Sequence, residues 1–276
     1  VSPNYLVIGH LAKDLTPDGA RLGGTAAYAA LTAHALGYRP GLVIACGDDL
    51  DLGPLSAFPR ARIASPVSTT FENLYGPEGR TQFLRARAAP LSANSVPAEW
   101  RAARVIHLAP LARELDPGLV SDWPEAFVGL TPQGWLRRWD AEGRVRNADW
   151  LEAEAILPHA SATVLSLEDL NRDWAVAERW AKVARVLVVT QGARGCAVFV
   201  RGEGARQFPA PAQAEVDPTG AGDIFAAAFF IHLYETGEAR AAAVFANTLA
   251  ALSVTRPGLA GAPTRDEAAE ARRRVE

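Results

Sequence analysis

The 276-residue chain has no methionine at any position, position 1 included, and holds only two cysteines and two lysines. The missing initiator leads to the expectation that the chain does not begin where its gene does. Two cysteines are too few for a disulfide framework or a thiolate zinc site. Cys46 and Cys196 both sit in apolar, strand-like runs, which suits buried thiols in a reducing compartment. Neither Lys13 nor Lys182 follows a glycine, which excludes the Gly-Lys-Ser/Thr element of a Walker-type phosphate loop. A formal net charge of -3 gives no global positive field to hold nucleic acid or an acidic membrane surface, so any phosphate site must be local. No apolar stretch approaches the roughly 18 to 20 residues that span a bilayer, and the N-terminus lacks the charged-then-apolar layout of a signal peptide. The expectation is a cytoplasmic protein with neither a membrane nor a nucleic-acid partner.

What is present is ample apolar material. With 49% hydrophobic and 21% charged residues, the chain can bury a sizeable core, in about one to two domains by size scaling. Short apolar strands alternate with helical stretches: Tyr5 to Gly9, a helix over Thr25 to Leu36, then Gly41 to Ala45. Further strands are expected at Arg104 to Leu108, Ala126 to Leu130, Ala162 to Leu165 and Val186 to Thr190, with a helix over Trp174 to Val183 before the last. That order is the β-α-β grammar of a mainly parallel sheet with helices on both faces, in one α/β domain spanning 1–276. The region at about 67–88 breaks the grammar. Thr69 to Tyr75 and Arg80 to Leu84, joined by the turn-like Gly76-Pro77-Glu78-Gly79, read as a β-hairpin, either a lid over a site or a plain edge hairpin. The final Arg265 to Glu276 segment reads as a solvated helix.

Chemistry concentrates in Asp217-Pro218-Thr219-Gly220-Ala221-Gly222-Asp223, followed at once by the apolar Ile224 to Ile231. Gly220 and Gly222 let the backbone turn tightly and approach a ligand, and a helix apolar on nearly every face must be buried. Such a helix aims unpaired N–H groups and its positive dipole end at one spot, an anion hole. Asp223, in the first turn, can take a proton from an attacking hydroxyl while those N–H groups stabilise charge on a transferred phosphoryl group. The competing reading is an acid that only complements the helix dipole.

This segment resembles the DTGAGD-type hallmark of the ribokinase-like (PfkB) carbohydrate kinases, and other landmarks of that family follow in order. Gly23-Gly24 is similar to its double glycine, Asp14 to its substrate-binding carboxylate, Gly47-Asp48-Asp49 to its G-D segment, and Val189 to Gly195 to its nucleotide-side strand and turn. The resemblance implies a Rossmann-like core with a small β lid, ATP and Mg²⁺ as cofactors with a monovalent cation (K⁺) as a further candidate, a small polyol or sugar as substrate, and a homodimer through the lid as the candidate assembly. By resemblance, Asp223 is the base and Gly220, Ala221 and Gly222 form the anion hole. Thr190, Gly192 and Gly195 line the ATP site with Asn247 near the adenine, although each could equally serve its own strand end, turn or helix. Asp14, Gly23 and Gly24 face the substrate.

Two departures bear on the substrate. Thr25 stands where many relatives have the Asn that contacts a sugar hydroxyl, and Gln133 and Arg137 look like the Q-x-x-x-R run of the myo-inositol kinase branch. Arg137 could instead be a solvated member of Arg137-Arg138. The family's N-x-x-E segment, tied to Mg²⁺ through water, has Ser166-Leu167-Glu168-Asp169 as its counterpart, so Asp169, or else Glu168, takes the acidic place unless both are simply first-turn acids. A dinucleotide-binding dehydrogenase is excluded because Gly9 is followed by His10-Leu11-Ala12 rather than a G-x-G-x-x-G turn. A non-catalytic relative fits less well, since a mere phosphate binder gains little from a carboxylate aimed at its ligand.

Overall fold

The computed structural model describes residues 2–17, 19–76 and 79–275. In chain order its elements are β1 (Tyr5–Ile8), β2 (Ala12–Thr16), β3 (Gly19–Gly23), α1 (Thr25–Ala35), β4 (Pro40–Cys46), β5 (Arg60–Ala64), β6 (Thr70–Gly76), β7 (Gly79–Ala86), β8 (Val105–Leu108), β9 (Phe127–Leu130), β10 (Arg137–Trp139) and β11 (Val145–Asn147). There follow α2 (Ala153–Ile156), β12 (Ala162–Ser166), α3 (Trp174–Ala181), β13 (Val186–Thr190), β14 (Cys196–Val200), β15 (Arg206–Phe208), α4 (Ala221–Thr236), α5 (Ala239–Ser253) and α6 (Arg265–Arg273).

Alternation along β1 and β4 explains the layering. Tyr5, Val7, Leu42 and Ile44 point into one apolar core, and Leu6, Ile8, Val43 and Ala45 into the other, so both faces of the sheet are covered and the strands read as unbroken apolar runs. The main sheet runs β15-β14-β13-β12-β9-β8-β1-β4-β5. Its pairings are parallel from β5 across to β13, and only the last two, β13 with β14 and β14 with β15, are antiparallel. The α/β expectation holds. The chain first leaves β1 for β4 and β5, then continues on its other side with β8, so the strand order reverses there, where open α/β sheets bind ligands at the carboxyl ends of their strands.

The first core gathers α1, α4, α5 and α6 against the sheet. Within it α4 is buried from Ile224 to Leu233, and the Phe230 ring lies so close to Gly129 of β9 that a Cβ there would collide with it. His107, fully buried on β8, meets the same ring edge-on at 5.0 Å. Burial pushes its pKa down to about 3, so it is a neutral core histidine bonded to Tyr5 and Thr131. The terminal helix corrects the solvated reading: Ala268 and Ala271 of α6 are buried in this core, and a capping box of Thr264 and Glu267 starts the helix.

A second sheet, β3-β2-β6-β7, stands apart from the first. The expected hairpin is its β6-β7 half, while the turn residues Pro77 and Glu78 lie outside the described residues. The sequence reading missed the other half: β2 pairs parallel with β6 and antiparallel with β3, so Asp14 and Gly23 belong to this small sheet. Ala12, Phe71, Leu84, Leu111 and Ala112 form a separate apolar cluster beneath it, backed by Trp139 and Val145 from the β10-β11 hairpin. Where the chain crosses between sheets, His10 Nε2 donates to Ala89 O (2.9 Å), and the Thr69 hydroxyl pairs with Nδ1 of the same ring (2.7 Å) and accepts from Ala88 N (3.0 Å). The buried Glu114 carboxylate accepts from the N–H groups of His10 (2.9 Å), Leu111 (2.8 Å) and Ala112 (2.6 Å), fastening the loop after β8 to the same crossing.

Candidate active site

The Asp217 to Asp223 segment folds as an anchored turn feeding α4. Asp217 accepts from Thr219 N (2.9 Å) and Gly258 N (2.8 Å). Partial burial pushes its carboxyl up, but those hydrogen bonds and the charge of Arg21 outweigh it and hold the pKa below the usual value. Gly220 caps the helix in the left-handed region at φ 81°, and a Cβ there would run into the Tyr28 ring of α1. Only glycine satisfies both demands. Gly222 is different: a Cβ there would have no atom within 4 Å, so its bareness is not required by packing and leaves space for something from outside. Of the three expected anion-hole residues, Ala221 already has its N–H bonded to Pro218 O at 3.2 Å.

Asp223 sits in the third position of α4, half-buried. Burial pushes its pKa up to about 6; a hydrogen bond from Thr25 and the charge of Arg137 pull it down, while Asp169 and Asp14 raise it further. The hydrogen bond runs from Thr25 Oγ1 to Asp223 Oδ1 at 2.7 Å. Asp14, Arg137 and Asp169, named from separate stretches of sequence, thus all act on one carboxylate, whose pKa is poised for proton exchange near neutrality.

On the substrate side, Asp14 Oδ2 lies over Gly23, where a Cβ would displace it, and Gly24 opens α1 at φ 88°. Arg137 is half-buried rather than solvated: its Nη1 donates to Leu111 O (3.1 Å) and its guanidinium stacks 5.4 Å from the Phe71 ring centre. Arg138 beside it is exposed. Gln133 is half-buried in the turn after β9. Thr25 is 3% exposed, and its hydroxyl hydrogen goes to Asp223.

The acidic pair separates. Asp169 Oδ2 accepts from Ser166 N (2.9 Å) and Oγ (2.8 Å), which fixes the carboxylate, whereas the Glu168 side chain is 80% exposed and pairs with Arg172. Asp169 alone of the two bears on Asp223. Among the described residues no group of three or more His, Cys, Asp or Glu could hold a metal by itself.

Among the residues expected to line the ATP site, Thr190 ends β13, Gly192 begins the next turn at φ 61°, and Gly195 closes it at φ 90°, where a Cβ would run into the Phe208 carbonyl. Asn247, expected near an adenine, has its amide engaged within the protein. It is 4% exposed, and its Nδ2 donates to Phe208 O (3.0 Å) and Cys196 Sγ (3.6 Å), clamping α5 to β14 and β15. Burial lifts the Cys196 thiol to about 12, so both expected thiols are free and buried.

Sequence reasoning did not find Tyr28 as the wall behind Gly220, Glu114 as the organiser of the Leu111 loop, or Thr25 as the partner of Asp223. Only Thr25 carried a signal, its departure from Asn. A cleft of about 430 Å³ between Arg101, Arg104, Trp123 and Tyr234 lies before β8 and β9 at the far end of their strands and touches none of these residues.

The structure thus brings a carboxylate at a buried helix N-terminus, a glycine turn before it and a second carboxylate on the small sheet to bear on one another, and the comparisons with known proteins identify a carbohydrate kinase. The same fold recurs in a pyrophosphate-dependent kinase of the ribokinase family complexed with a pyrophosphate analog and myo-inositol (TM-score 0.76, 22% identity, 97% of this chain and 99% of that one). It recurs also in Arabidopsis thaliana ribokinase complexed with ribose and ATP (TM-score 0.69, 18% identity, 98% and 99%). An acarbose 7(IV)-phosphotransferase of Actinoplanes sp. is 32% identical over 237 residues, 77% of this chain and 74% of that protein. A cytidine kinase of Thermococcus kodakarensis is 27% identical over 250 residues, 82% and 87% of the two chains. The model of the pfkB family of carbohydrate kinases matches residues 151–265, and the chain belongs to that family.

Proposed function

We propose that this kinase transfers the terminal phosphoryl group of ATP to a hydroxyl of a small polyol, sugar or cyclitol, with a myo-inositol-like ring as the acceptor that fits best. The observation that carries the reading is Asp223, a carboxylate poised at about pH 6 beside the open backbone of Gly222. Asp223 takes the acceptor hydroxyl's proton as that oxygen bonds to the γ-phosphorus and the bond to the bridging oxygen breaks, releasing ADP; the proton then passes to solvent. Asp169, fixed by Ser166, is the acid offered to Mg²⁺, which suits a cation held by one or two carboxylates, water and phosphate rather than by a protein cage. Mg²⁺ there would neutralise phosphate charge. The cyclitol preference is supported by Thr25, which has no amide to give a sugar hydroxyl, and by Arg137, held between Leu111 and Phe71 with its charge felt at Asp223.

The test is initial-rate phosphorylation of cyclitols, ribose, fructose and cytidine, each with ATP and with pyrophosphate as donor. A cyclitol preferred at least tenfold in kcat/KM with ATP is the expected result. Preference for cytidine or a furanose would overturn the acceptor reading, and turnover with pyrophosphate but not ATP would overturn the donor reading. No turnover in any combination would overturn both.

A further inference from the structure

Thr25 and Asp223 are 198 positions apart in sequence, yet the Thr25 hydroxyl donates to Asp223 Oδ1 at 2.7 Å. The bond joins two helix N-termini, because Thr25 is the first residue of α1, after Gly24, and Asp223 is the third of α4, after Gly220. Both ends are rigidly held. Thr25 is 3% exposed and followed by the buried Ala26, Ala27 and Tyr28, and Gly220 is wedged against the Tyr28 ring. A carboxylate on a short side chain can rotate about its Cα–Cβ and Cβ–Cγ bonds, and a donor fixed to a second helix removes that freedom for one oxygen and leaves the other to receive a proton.

We propose that Thr25 is the positioning residue of the catalytic base: its hydroxyl holds Asp223 Oδ1, fixes the carboxylate plane and turns Oδ2 toward the acceptor hydroxyl. The inference rests on the reading of Asp223 as base. It also gives a physical content to the absence of Asn after the double glycine: in this chain the first residue of α1 serves the base instead of the acceptor. The charged and titratable groups acting on Asp223 come from several elements, Asp14 on β2, Arg137 on β10 and Asp169 after β12, with Tyr28 beside it on α1. Thr25 reaches the carboxylate by a neutral hydrogen bond. Such a bond to a charged acceptor favours the ionised form, so its loss raises the pKa at which the base is protonated.

The experiment measures kcat and both KM values from pH 5 to 9 for the wild type, Thr25→Val, Thr25→Ser and Asp223→Asn. Valine keeps the shape and removes the donor; serine keeps the donor. Thr25→Val is expected to shift the acid limb of kcat upward by about one pH unit and to lower the alkaline plateau about tenfold, while both KM values change less than twofold. Thr25→Ser is expected to restore the limb and most of the plateau. A purely structural role would lower the melting temperature of Thr25→Val and leave the acid limb in place, and that result would overturn the proposal, as would a Thr25→Ser variant that behaves like Thr25→Val. If Thr25→Val does not fold, Thr25→Ala takes its place: an acid limb raised by about one pH unit supports the positioning role, and a limb left where the wild type has it overturns the proposal. Asp223→Asn separates the two readings: near-normal turnover there removes the base itself, whereas loss of turnover there with an unmoved limb in Thr25→Val removes only the part assigned to Thr25.

Discussion

Asp223 illustrates how one side chain can serve chemistry at the expense of the fold. Replacement by Asn keeps an acceptor for Thr25 but cannot take up a proton, and is expected to lower kcat by about 10² to 10⁴ with donor binding preserved. In the wild type, kcat/KM should fall as pH drops through about 6, where the carboxylate becomes protonated, a limb that Asp223→Asn should lack. The same pKa has an opposite consequence for stability. Because the folded-state pKa lies above the unfolded value near 3.8, folding binds the proton more tightly. Asp223 therefore costs nothing below pH about 3.8, and its penalty grows as pH rises through 6, reaching on the order of 1 to 3 kcal/mol above that. Asp223→Asn should melt higher than wild type at pH 8, with the gap closing toward pH 4; melting curves at the two pH values check this, and equal shifts at both would contradict it. Asp223 was legible because seven residues in order opened an apolar helix. Its partner Thr25 was not, because a hydrogen bond between residues 25 and 223 leaves no local pattern, and the bond from the Asn247 amide to Phe208 O was hidden for the same reason.

At the scale of the element, the two glycines of the α4 turn do different work and should fail differently. Gly222→Val places a branched side chain into open space, so the protein should fold with a melting temperature near wild type while kcat/KM falls at least a hundredfold from the blocked phosphoryl approach. Gly220→Ala meets both a left-handed backbone and the Tyr28 ring, and should cost about 2 to 4 kcal/mol in chemical denaturation before any effect on turnover is counted. Near-normal kinetics for Gly222→Val would remove the anion hole from the account. The strands of the main sheet were readable as apolar runs, and Val186–Thr190 matches its expected bounds. β2 and β3 were not, since Ala12–Thr16 mixes Lys13 and Asp14 with half-exposed neighbours and gains its strand character from pairing with β6. The short β10 and β11 depend in the same way on packing against the small sheet through Trp139 and Val145.

Across the whole molecule, the small sheet carries Asp14 and the main body carries Asp223, so under the proposed function one layer would grip the acceptor and the other deprotonate it. Asp14→Ala should raise the acceptor KM by about one to two decades, the value of roughly 1.5 to 3 kcal/mol for a charged acceptor paired with substrate, and leave the donor KM nearly unchanged. Steady-state titration of each substrate against the variant checks it, and an unmoved acceptor KM would reject the contact. The position of β1 has a consequence of another kind. The strand is flanked by β4 and β8, the latter about a hundred residues later in sequence, and while α1 packs on its inner face, the same face of β8, β9 and β12 is covered by α4, which starts only at Ala221. Until then a growing chain carries that part of the apolar face uncovered, and α4, buried from Ile224 to Leu233, has no polar side there to shelter behind. The chain's cellular yield should therefore be governed by how quickly α4 follows the strands it covers and by what shields that face in the interval.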